Sequence, residues 1–364
     1  MTSNSSSLPQ GTGLFERAAR HFVARYWPTE LLEHVVTGDE PAWHRRALRR
    51  TVHVARSLQA FSDSAPLVSQ THFLRHLMVL PLAGPVAAAM PSYEGMEFIV
   101  VGEQFVDLLK FHYQVTAGFR MAEYLAQTGA LPEPLSQCRA QIYWNGLAWI
   151  HDWFRCNGGS VPDLSRHVVS ALSLGLDSDA LMQALLFMVL HECGHFALGH
   201  IAEGPNNEGV AAFRQMSEGL LSEEQEQELA ADAWAIRAMH WPNAGWQCTA
   251  IARLFVLFGV AHATLGTRSP EHPYLHDRCA HLVAVLEQHG IAVPADTQRL
   301  PDVIAQEYDY RKHRTGSTTA PSRDERLSLL TDYLDAVSRQ FEVAGGDAAL
   351  LSWMRAHRVI TRPW

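Results

Sequence analysis

Disulfide chemistry is the first thing this sequence has little of. Its five cysteines, Cys138, Cys156, Cys193, Cys248 and Cys279, are odd in number, scattered, and form no CxxC pair. That excludes a disulfide framework and suits a reducing compartment. A positive balance is also missing: 29 Lys and Arg face 38 Asp and Glu, for a formal net charge of −9, so nothing calls for nucleic acid as a partner. The basic group Arg45, Arg46, Arg49 and Arg50 lies at helical spacing among apolar residues and reads as a solvated helix face. Residues 1–13 are rich in Ser, Gly, Pro and Thr, without the basic start and apolar stretch of a signal peptide, and read as a disordered tail. Two apolar stretches invite comparison with membrane spans. Residues 77–90 are broken by Pro81, Gly84 and Pro85, while 180–190 are shorter still, contain Gln183 and run into His191 and Glu192. No repeat is evident. The expectation is a soluble, cytoplasmic protein without a membrane span.

What is present is an ordinary globular composition, 47% apolar and 18% charged, in a chain long enough to bury a sizeable core. Segments of 3.6-residue periodicity predict helices over 14–27, 42–61, 104–127, 135–156, 178–202, 222–241, 247–265, 273–289, 323–343 and 347–357. Between many of them stand stop signals such as Pro28, Gly129 with Pro132, Gly158 with Gly159, Gly204 with Pro205, and Pro242. The one strand candidate is 97–101, four apolar residues after Glu97 and bounded by Gly95 and Gly102. The predicted fold class is therefore mainly α with a small β-sheet (α+β). We divide the chain into a tail (1–13), an N-terminal helical region (14–130), a segment carrying the chemistry (131–310), and a loop with C-terminal helices (311–364).

His191-Glu192-Cys193-Gly194-His195 fits the pattern HExxH. On a helix, positions i and i+4 share a face, so both imidazoles can reach one metal ion. Glu192 is rotated about 100° around the same helix. That places it beside the metal, where it can hold and deprotonate the attacking water. Three fixed positions make a permissive pattern, and two core histidines bonded to carbonyls would produce it as well. Residues 181–190, however, are apolar on all sides, as in a helix buried in a core, and polar groups at the end of such a helix need partners. Cys193, two residues from His191, points away from the metal face and reads as a buried, inert thiol.

A catalytic zinc site takes three protein ligands and keeps one open position. His200 is one candidate for the third, but the metzincin pattern HExxHxxGxxH would need Gly at 198 and His at 201, where Leu198 and Ile201 stand. His200 reads better as a helix-end or cleft-lining residue. Glu228, in Glu228-Leu229-Ala230-Ala231-Asp232, is the stronger candidate. Its helix has a plausible capping box at Ser222 and Gln225. Glu228 and Asp232 share a face, so the first can ligate while the second accepts a hydrogen bond from the far nitrogen of a ligating histidine. Small Ala231 and Ala235 would permit close packing against the HExxH helix. The competing reading, a solvated acidic face formed with Glu223, Glu224 and Glu226, is opposed by the apolar Leu229, Ala233, Trp234 and Ile236. A third segment, His272-Pro273-Tyr274-Leu275-His276-Asp277-Arg278, is suggestive: a histidine or tyrosine there could donate to an oxyanion.

Together the three segments resemble the gluzincin metallopeptidases, and most closely the HtpX and CAAX-prenyl-protease family, which carries HExxH, then Glu-x-x-Ala-Asp, then His-Pro-x-x-x-x-Arg in the same order. The resemblance implies a zincin-like core with Zn2+ held by His191, His195 and Glu228, Glu192 as general base, Asp232 behind the ligands, and His272 and Arg278 as cleft residues supporting the site. It also implies an edge strand for extended substrate, for which 97–101 is the candidate. Members of that family have transmembrane helices flanking the core, and none is expected here. A weaker likeness, to the Lit-type phage-exclusion and ImmA-type regulatory peptidases, implies a regulatory or defence role. The function expected is zinc-dependent hydrolysis of a protein or peptide substrate. Its rivals are a metal-dependent hydrolase of a non-peptide amide or ester, a zinc-stapled helical binding protein without activity, and a metal-free helical scaffold.

Overall fold

In a computed structural model of the chain, residues 12–26, 43–63, 76–82, 86–155, 160–168, 170–201, 222–239, 241, 244–265, 275–291, 293 and 322–356 are described. The fold is mostly helical with a small three-stranded mixed sheet. In chain order the elements are α1 (Thr12–Tyr26), α2 (Trp43–Asp63), β1 (Leu77–Leu80), β2 (Ala87–Tyr93), β3 (Met96–Gly102), α3 (Glu103–Gln127), α4 (Glu133–Arg155), α5 (Ala171–Ala197), α6 (Glu223–Ala238), α7 (Ala244–Leu265), α8 (Leu275–Gln288), α9 (Arg323–Val343) and α10 (Gly346–Ala356). They group into two compact units: residues 1–106 with 186–242, and residues 107–185 with 243–364.

The first unit is built on the sheet, in the order β1-β3-β2, with β1 parallel and β2 antiparallel to β3. Strand β3 contains the predicted 97–101, but it is the central strand rather than an edge, because both of its sides are paired. Strand β2, like β1, is an edge among the described residues. Its turn into β3 is Glu94-Gly95, with φ of 49° and 76°, the double positive φ that a type I′ two-residue hairpin requires. Period-two alternation puts Phe98 and Val100 on one face with Met78, Leu80 and Met90, where they pack with Ala18, Ala19, Phe22 and Val23 of α1 and Trp43 and Ala47 of α2. Ile99 and Val101, on the other face, are buried too, as expected of a strand covered on both sides. Thr51 ties α2 to β1 by accepting from the Val79 N–H at 2.7 Å. Glu103, almost fully buried, is neutralised by Arg46 at 3.0 Å.

The second unit is a helical assembly in which α4 packs against α9 and α7, and α7 against α8. Tyr113 donates to the Ala250 carbonyl at 2.8 Å, and Tyr333 to the Leu135 carbonyl at 3.1 Å, so the deep hydroxyls are satisfied. Helix α9 starts in a capping box formed by Ser322 and Glu325. Within α5, the stretch Ser178–Ala197 is long and apolar enough to cross a membrane by composition, yet 78% of its most apolar window is buried inside the protein.

Candidate metal centre

The site lies in the first unit and is made by the end of α5, the middle of α6 and the edge of β2. Residues 184–193 of α5 are buried without interruption, which carries His191 and Glu192 into the interior. Helix α6 begins as the sequence predicts: the Ser222 side chain accepts from the Gln225 N–H and the Gln225 side chain accepts from the Ser222 N–H. Its acidic first turn then splits by environment, with Glu223 and Glu224 exposed and Glu226, Glu228 and Asp232 buried. Glu228 is not part of a solvated face.

The two helices approach closely because of Gly194. A Cβ added there would meet the Ala231 Cα at 3.0 Å and the Ala231 carbonyl oxygen at 3.1 Å. The obstructing atoms are main chain and cannot swing aside. An ordinary helix-interior glycine gains about 1 kcal/mol on replacement by a better helix former, whereas overpacking a site of this kind costs about 1–3 kcal/mol. Gly194→Val should therefore lose stability in urea unfolding and bind metal more weakly, by pushing Glu228 away from the histidines, with helix content by circular dichroism unchanged.

Three side chains converge between the helices, two through Nε2 and the third through both carboxylate oxygens. His191 Nε2 and His195 Nε2 are 3.2 Å apart, His191 Nε2 and Glu228 Oε2 3.4 Å, and His195 Nε2 and Glu228 Oε1 3.3 Å. Among the described residues these three form a group able to hold a metal ion. Two ligand atoms bound tetrahedrally to zinc at about 2.0–2.1 Å stand about 3.3 Å apart. The two Nε2 atoms match that spacing, each lies at nearly the same distance from one or the other oxygen of Glu228, and the chemistry, two imidazoles and a carboxylate, suits zinc. Residues and metal fit.

Each histidine is gripped from behind. Asp232, fully buried, lies 2.8 Å from His191 Nδ1. Burial alone would push the His191 imidazole's pKa down, but the carboxylates of Asp232 and Glu228 overrule it and carry it up to about 10. His195 Nδ1 lies 3.1 Å from His200 Nδ1. The chain reverses for this at Gly199, where φ is 73°. There the His200 N–H donates to the His195 carbonyl and the Gly199 N–H to the Phe196 carbonyl, the paired bonds of a Schellman ending. Burial, followed by the neighbouring His195, pushes the His200 ring down to about 4, so at neutral pH it is uncharged and able to accept. His200 thus stands behind a candidate ligand rather than among the ligands. Its register one step short of the metzincin pattern is explained by this role, which sequence reasoning missed although Gly199 signalled the turn.

Glu192 is mostly buried, and its Oε2 accepts a hydrogen bond from the Ala89 N–H of β2 at 2.7 Å. Cys193 is fully buried, and burial, then nearby Glu192, pushes its thiol upward, so it stays protonated. Of the third segment, His272 lies outside the described residues. Arg278 is buried on α8 in the second unit, its guanidinium 5.4 Å from the centre of the Phe255 ring.

Comparison with known proteins adds one finding. Residues 172–293 match the Peptidase U49 family. The Peptidase U49 match spans both helices that make the donor group, and it supports a peptidase. No curated protein and no solved structure matches the chain.

Proposed function

We propose that the chain is a zinc-dependent peptidase of the gluzincin type, with His191, His195 and Glu228 holding the metal and Glu192 acting as the general base. The observation that carries this reading is the convergence of His191, His195 and Glu228, with the two Nε2 atoms 3.2 Å apart and each 3.3–3.4 Å from one or the other oxygen of Glu228, set beside a carboxylate that is not one of the three. Zinc, when bound, supplies Lewis acidity, polarising a carbonyl and acidifying water. Asp232 and His200 hold the two imidazoles with their Nε2 atoms turned toward Glu228. Glu192 takes a proton from the attacking water and delivers it to the departing amine, so the carboxylate ends as it began. Substrate lies along β2, whose outer edge among the described residues has no strand partner, and pairs with it through main-chain hydrogen bonds.

Purified protein should carry zinc in one-to-one stoichiometry and cleave members of a peptide library. Chelation should abolish that cleavage, and added zinc should restore it. Protein free of zinc as isolated that also fails to bind it on addition would sink the proposal.

A further inference from the structure

The β2 register determines where the Ala89 N–H points. Ala88 pairs with Val100 and Met90 with Phe98, and the Gly102 N–H donates to the Val86 carbonyl at 2.8 Å. In an antiparallel ladder the bonding pairs alternate, so Val86, Ala88 and Met90 spend their main-chain groups on β3, while Ala87 and Ala89 turn theirs outward. The opposite number of Ala89 behaves accordingly: the Ile99 N–H donates to the His76 carbonyl on the β1 side. The outward N–H of Ala89 ends on Glu192 Oε2 at 2.7 Å, a short, charge-assisted bond.

From this we infer that the main-chain N–H of Ala89 is the positioning group for Glu192, holding the carboxylate by one oxygen and leaving the other for the proton. The inference rests on the peptidase reading. A carboxylate on a two-methylene stem rotates freely unless something fixes it, and a base that must meet a water within hydrogen-bond reach loses rate when it wanders. A strand main chain is a rigid anchor for that purpose. The same contact withholds the Ala89 N–H from substrate. Pro91, the next residue of matching parity, has no N–H, so the outward main-chain donor left on this stretch of β2 is that of Ala87. The Ala89 N–H therefore serves turnover and not docking, which separates kcat from KM.

Proline is tolerated on an edge strand where its missing N–H faces outward, so Ala89→Pro removes the donor and leaves the ladder intact. A lactic-acid residue at 89, giving a backbone ester, removes the same N–H without constraining φ. Ala89→Val keeps it. With zinc-loaded protein, the proline and ester variants should lose about 10–100-fold in kcat, with KM and zinc content unchanged and the valine variant retaining wild-type kcat. Wild-type kcat in the proline and ester variants overturns the inference. Hydrogen exchange at the Ala89 amide in 15N-alanine-labelled protein needs no turnover: it should be slow in the wild type and fast in Glu192→Ala. Protection indifferent to Glu192 removes the positioning contact, whereas intact protection in a wild type without turnover removes the peptidase reading instead.

Discussion

Glu192→Gln should lower peptide hydrolysis by about 10²–10⁴-fold, the range that general acid–base catalysis contributes, while leaving zinc content unaltered. The substitution keeps size and shape, and an amide oxygen can still accept the Ala89 N–H that reaches Oε2 at 2.7 Å. What disappears is the capacity to take up and return a proton. Because Glu192 is not a member of the donor group, metal affinity measured by chelator competition should stay within a few-fold of wild type. This result distinguishes an enzyme from a zinc-stapled binding protein, for which Glu192→Gln changes nothing measurable. Hydrolysis surviving in the variant removes Glu192 from the mechanism.

Glu228→Ala should have the larger effect on the metal. It deletes one of three protein donors, and its loss leaves His191 and His195, whose Nε2 atoms are 3.2 Å apart, to hold the ion alone. Removing a residue that merely supports a ligand costs about 10–100-fold in affinity, and removing a ligand should exceed the upper end of that range. Asp232→Asn, which weakens the grip on His191 Nδ1 from 2.8 Å behind it, should fall inside the range and serves as the internal comparison. The fold of α6 should survive both changes, since its start is held by the Ser222–Gln225 capping box and its burial by Leu229, Ala233 and Ile236. Unchanged zinc affinity in Glu228→Ala would dismantle the proposed centre.

Much of the helical framework was legible before any coordinates, because a helix is closed by bonds between residues four apart and its buried face repeats within one turn or two. All ten predicted segments correspond to helices. Helix α5 starts seven residues before its predicted segment, at Ala171. The pairings of like kind were legible too: His191 with His195, Glu228 with Asp232, Ser222 with Gln225. The sheet was not. Strand β1 has four residues and β2 begins Ala-Ala-Ala, which carry little β-propensity, and the intervening Pro81, Gly84 and Pro85 read only as a break. The strand that was predicted took the centre of the sheet, since strand order depends on which neighbours complete the pairing rather than on the strand's own residues.

By itself, then, the sequence determined which side chains share a helix face and which chemistry those faces could support. Only the tertiary structure decided that the faces at 191–195 and 228–232 meet, that Gly194 is the point where they can, that His200 folds back onto His195, and that Glu192 is gripped by β2. The reason is physical. Side chains differ along the chain and leave a pattern, whereas nearly every residue carries the same main-chain N–H, and which one reaches a buried carboxylate is settled by packing between segments 103 positions apart.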